Sequence, residues 1–113
     1  MAPLQVHELR ITVMPDDLPE DRFTEHVNNA RYFAFINRAF QSWYRPMGLR
    51  ERGAPFLAVM AHCAYDFLRQ VHYPGEVLCR IEVVRVGRTS LEHAVQMWDV
   101  SGPEPLLAGR GKV

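Results

Sequence analysis

The sequence predicts an α+β fold in which one long central helix is wrapped by a curved five-stranded antiparallel sheet. Three observations carry this. One strongly apolar helical stretch lies early in the chain, runs of alternating apolar residues lie on either side of it, and the later runs are joined by short turns. Connections this short join antiparallel neighbours, because a parallel pair needs a crossover of about a dozen residues or more.

Residues 4–14, LQVHELRITVM, alternate with Leu9, Ile11 and Val13 on one face and read as a half-buried strand. The next stretch, PDDLPEDRFT at 15–24, carries two prolines and four acids and reads as a loop. A helix follows. Arg31, Ala34, Arg38, Gln41 and Arg45 recur at spacings of 3, 4, 3 and 4, while Tyr32, Phe33, Phe35, Ile36, Ala39, Phe40 and Trp43 cover the rest of the circumference. Such a helix is covered on most sides and meets water along one stripe, and Pro46 with Gly48 ends it. The run FLAVMAHCAYDFLRQV, 56–71, predicts a long curved strand with Leu57, Val59, Ala61, Cys63, Tyr65 and Phe67 toward the core. HYPGE then turns the chain into VLCRIEVVRV, with Val77, Cys79, Ile81 and Val83 aligned, and GRTS turns it again. LEHAVQMWDV and PLLAGRGKV, separated by SGPE, complete a meander.

The 113 residues make one domain, 1–113, and at that size folding buries roughly two-thirds of the surface an unfolded chain exposes. A five-stranded sheet leaves two edges that so short a chain has nothing to cover, which predicts a homodimer. With 13 basic and 13 acidic residues there is no overall field to attract nucleic acid. Cys63 and Cys79 sit in apolar runs without ligand spacing, as thiols do in a reducing compartment. His7, His62 and His93 fall on different strands, again without ligand spacing, so no metal site is expected. The sequence begins without the apolar run of a signal peptide, and no window approaches the ~18 apolar residues of a membrane span, so a cytoplasmic protein is expected.

The chemistry-bearing stretch is TEHVNNARYF, in which His26, Asn28 and Asn29 stand at the mouth of an apolar helix. Asparagine is among the best N-cap residues, and a histidine there can accept or donate a proton. HVNNARYF, together with the segment from Ala64 to Asp99, resembles the hotdog-fold acyl-CoA thioesterases of the 4-hydroxybenzoyl-CoA thioesterase-like superfamily, a likeness that runs from residue 6 to residue 113. HYPGEV is superficially similar to a dehydratase motif, but it joins two strands and lacks that motif's further prolines.

The resemblance implies hydrolysis of an acyl-CoA or acyl-carrier-protein thioester to acid and thiol. It implies no cofactor beyond the coenzyme A of the substrate, and active sites at the interface of a homodimer or of paired dimers. The thioester carbonyl would point at the helix N-terminus, where unpaired N–H groups and a partial positive charge receive the oxyanion. Val27, Asn28, Asn29 and Ala30 become the oxyanion-facing turn, Tyr32 a substrate contact, and Arg88 and Ser90 neighbours of the pantetheine and phosphates. The family's usual Asp, three residues before a motif Gly, is replaced by Arg22, and Glu25 replaces the Gly. Asp21 or Glu25 is then the candidate carboxylate, with His26 orienting the reactants. The missing Asp also admits an acyl-thioester-binding protein with little turnover. Beside these roles stand plainer ones: Asn28 and Asn29 as caps, Asp16, Asp17, Glu20 and Asp21 as a solvated loop, and Tyr32 and Phe33 as core.

Overall fold

A computed structural model describes residues 6–19, 25–47 and 60–113. Five strands form a single sheet in the order β1-β3-β4-β5-β2, with every pairing antiparallel. Strand β1 is Val6–Thr12, and its alternation puts Leu9 and Ile11 opposite Cys79 and Val77 of β3, Glu76–Val86. Strand β4, Leu91–Asp99, continues the same face through Val95 and Met97, and β5, Leu106–Lys112, through Ala108. Helix α1, Asn29–Tyr44, lies across this face and buries Tyr32, Phe35, Ile36, Ala39, Phe40 and Tyr44 against it. Large apolar side chains such as Phe35 and Ile36 each contribute about 1.5–3 kcal/mol when fully withdrawn from water.

Among the described residues the helix is covered on one face rather than on most sides. Phe33, expected in the core, is 39% exposed, its ring meeting the Tyr65 ring edge-on at the margin of the core. Two bulges bend the sheet around the helix, one between Val83 and Arg85 on β3 and one at Ala108 on β5, as an unpaired extra residue does.

The long strand expected over 56–71 is much shorter where it is described. Residues 56–59 lie outside the described residues, and within 60–71 only Ala64–Phe67 forms β2. Ala64 pairs with Lys112, the last residue of β5, so β5 offers no register to the residues before it. Phe67 is 45% exposed rather than core. The Tyr65 ring lies over β5, and a Cβ on Gly109 would run into that ring, which is why the helix-facing side of β5 is stripped to glycine there. Of the two cysteines Cys79 is buried and Cys63 half-buried, both as free thiols, and burial pushes the Cys79 thiol up to about 12. No described helix is long and apolar enough to cross a membrane.

Candidate functional site

The approach to α1 is held by two backbone bonds to a neighbouring segment. The N–H of Val27 donates to the carbonyl of Val71 at 2.8 Å, and the N–H of Tyr73 donates to that of Glu25 at 2.7 Å. His26 and His72 face each other between these bonds in an isolated antiparallel bridge. Glu25 is exposed and His26 half-buried.

Asn28 is the N-cap, extended at φ −61° and ψ 133°, and its side-chain Oδ1 accepts the Ala30 N–H at 3.1 Å. The other amides of this turn fall out differently from the expectation. Val27 N–H is engaged by Val71, Asn28 N–H donates to the Asp17 carbonyl at 2.8 Å, and Arg31 N–H donates to the Asn28 carbonyl at 2.9 Å. Only the Asn29 N–H, at the first helical position, has no acceptor among the described residues. Asn29 and Ala30 are exposed, so the helix end is open to solvent. Of the four residues expected to face an oxyanion, Asn29 is thus the one whose N–H lacks an acceptor among the described residues, at the N-terminal end of a 16-residue helix and its dipole.

Tyr32 does not face this opening. It is 2% exposed, and its hydroxyl accepts the Val71 N–H at 3.2 Å, which makes it a core residue with a satisfied polar end. Burial raises its hydroxyl pKa. Arg88 and Ser90 are exposed in the turn between β3 and β4, whose Gly87 N–H donates to the Ser90 carbonyl. That turn lies past His93, which contacts Tyr44 at the far end of α1, so within one chain it is separated from Asn29 by the helix length of about 24 Å. Asp21 lies outside the described residues.

The acidic loop is not uniformly solvated. Asp17, in the 3-10 turn Pro15–Asp17, is 3% exposed and touches the first turn of α1. Its Oδ1 accepts from Arg31 Nε at 2.8 Å and its Oδ2 from the Met14 N–H at 2.8 Å. Arg31 sits in the first helical turn, where the dipole disfavours a cation. That mismatch between residue and position is the sequence signal for an acid folded against it.

Among the described residues, two clefts lie away from the first turn. One of about 340 Å³ is lined by Leu9, Arg38, Gln41, Ser42, Arg45 and Pro46, and one of about 320 Å³ lies at Asp99, Gly102, Pro103, Glu104 and Leu106. Among the described residues no group of three or more His, Cys, Asp or Glu is placed to hold a metal ion.

With this geometry in hand, comparison with known proteins is informative. The sequence profile of the thioesterase superfamily matches residues 24–106, from the helix approach into β5. No curated protein matches the chain. Among solved structures, the PA2801 protein of Pseudomonas aeruginosa, a candidate thioesterase, is similar at 25% identity with a TM-score of 0.82, over 94% of this chain and 78% of its own. A thioesterase from Thermus thermophilus, complexed with coenzyme A and Zn, is similar at 24% identity and TM-score 0.75, over 94% and 74%. A variant 4-hydroxybenzoyl-CoA thioesterase, complexed with 4-hydroxybenzoyl-CoA, shares the fold at 13% identity and TM-score 0.77, over 96% and 80%. The helix laid on a curved five-stranded antiparallel sheet is thus the hotdog fold, and the matched span covers most of its elements. The chain belongs to the thioesterase superfamily.

Proposed function

We propose that the chain is an acyl-CoA or acyl-carrier-protein thioesterase working as a homodimer. The observation that carries this reading is the exposed first turn of α1, where the Asn29 N–H has no acceptor among the described residues. A thioester carbonyl placed there meets a donor already oriented by the cap, and such a donor is worth about 10²–10³ in rate. Water attacks the carbonyl carbon while a carboxylate, Glu25 or Asp21, takes its proton. The oxyanion forms toward Asn29, the C–S bond breaks, and the proton passes to the departing thiolate. His26, beside Glu25 in the chain, orients the water or the carbonyl. The scheme uses no cofactor beyond the coenzyme A of the substrate.

The edge strand β2 supports the dimer. It is only Ala64–Phe67, and Met60, Phe67 and Leu68 around it are 42%, 45% and 50% exposed. Pairing two such edges antiparallel across a two-fold axis brings the second copy's β3–β4 turn, with Arg88 and Ser90, to the end of the sheet where Asn29 lies. The phosphates of coenzyme A would meet that arginine.

Asn29→Pro is the decisive variant. Proline is well tolerated at the first helical position, and Asn28 already has the extended backbone that a following proline requires, so the change removes the N–H with little harm to folding. Hydrolysis of an acyl-CoA panel should fall about 10²–10³-fold, while Asn29→Ala, which keeps the N–H, should lose far less. Equal rates for the two variants reject the oxyanion assignment. A second reading, binding without turnover, is favoured by Arg22 at the usual Asp position. Saturable binding of acyl-CoA with hydrolysis no faster than background would select it.

A further inference from the structure

Asp17 and Arg31 are an expensive arrangement for a helix that already has a good cap. A nearly buried carboxylate must be paired to remain charged, and a cation in the first helical turn opposes the dipole. Each corrects the other: the guanidinium reaches back from α1 through Nε to Asp17 Oδ1 at 2.8 Å. Asp17 also takes the Met14 N–H on Oδ2 and the Asn28 N–H on its backbone carbonyl, both at 2.8 Å. One residue thereby fixes the 3-10 turn, the N-cap and the third helical position together. The approach to the cap is consequently held by Asp17 on one side and by the bonds of Glu25 and Val27 to Tyr73 and Val71 on the other.

We propose that Asp17 and Arg31 form a positioning pair for the acyl-thioester site, setting the direction of the Asn29 N–H. The proposal rests on the thioesterase reading above and assigns neither residue to the chemistry. Neutralising one partner leaves the other charged beside the turn, so each single change does more than remove a bond. Because the oxyanion exists only in the transition state, a misdirected donor lowers kcat more than it raises KM. A pair that served only to hold the fold would move stability without that split.

The test compares Asp17→Asn, Arg31→Gln and the double variant, with Arg38→Gln, two turns further along α1, as the control. Steady-state hydrolysis is measured well below the lowest melting temperature, and amide hydrogen exchange is followed at residues 28–31. Each single variant should lose at least about tenfold in kcat with KM within about threefold, and should exchange the hydrogen-bonded amides of Asn28 and Arg31 faster. The double variant, which restores a neutral pair, should recover part of both losses, and Arg38→Gln should match wild type. Unchanged kcat in both single variants overturns the proposal, as does a double variant whose losses are the product of the single ones. If the wild type hydrolyses no acyl-CoA, it is the thioesterase reading that fails. Exchange at Asn28 and Arg31 then decides the pairing: protection unchanged in both single variants overturns it, and protection lost in each and partly restored in the double variant upholds it.

Discussion

The last two turns of α1 are packed into aromatic rings, while its first turn stands in water. At the C-terminal end Phe40, Trp43 and Tyr44 surround His93, whose Nε2 lies 2.7 Å from the Tyr44 hydroxyl. His7 stacks on Trp43 and its Nε2 lies 2.8 Å from the Ser42 hydroxyl. At the N-terminal end Glu25, Asn29 and Ala30 are exposed, and His26 has another histidine opposite it. Both ends hold a histidine beside the helix, but His93 is enclosed by aromatic rings while His26 lies beside exposed residues. A histidine near a helix end is therefore weak evidence by itself, and the separating quantity is burial of what surrounds it.

Breaking the sealed end should cost the most stability and the least chemistry. Phe40→Ala removes a ring from among Tyr44 and His93 and should cost about 3–5 kcal/mol, read as a lower urea midpoint with kcat of the folded fraction unchanged. Tyr44→Phe deletes the Nε2 partner of His93, whose Nδ1 already lacks one among the described residues. A loss of about 1–3 kcal/mol is expected for leaving the imidazole unsatisfied. At the open end Asn28→Ala forfeits the cap for about 1 kcal/mol, yet it should reduce hydrolysis severalfold because the same residue orients Asn29. If Phe40→Ala and Asn28→Ala shifted stability and turnover in the same proportion, the contrast between the ends would collapse.

The smallest effect is that of acid. Burial lowers the pKa of His93 from its ordinary 6.5, against a smaller opposing pull from its backbone bond to Val113, and burial lowers that of His7 against a smaller opposing pull from Glu8. The folded state thus favours neutral imidazole. As pH falls below about 6.5 the unfolded chain takes up protons first, so stability present above that pH is lost on acidification. Melting temperature should decline from about pH 6.5 downward, and more shallowly in His93→Gln. An identical acid limb in the variant would remove His93 from the account.

Most of this architecture is legible in the sequence, because alternation on β1, β3, β4 and β5 reports directly which residues face α1. The run over 56–71 alternates just as well and misleads, since alternation says that two faces differ but not that a neighbouring strand is present to pair. Asn28 is legible as a cap from its residue type alone. Asp17 is not: of the described acids Asp16, Asp17 and Glu25 it alone is buried, and what selects it is Arg31, 14 residues away in sequence. The engaged amides of Val27 and Asn28 are invisible for the same reason, as their acceptors come from Val71 and Asp17 in other segments.

Val71 is gripped from both directions. Its carbonyl takes the Val27 N–H and its own N–H is taken by the Tyr32 hydroxyl, while its side chain is wholly buried. Lead-in and helix are thus tethered to a single shared post, so neither can swing aside without tearing the other loose. A visitor to the Asn29 doorway should find a stiff frame on the side where Val71 stands.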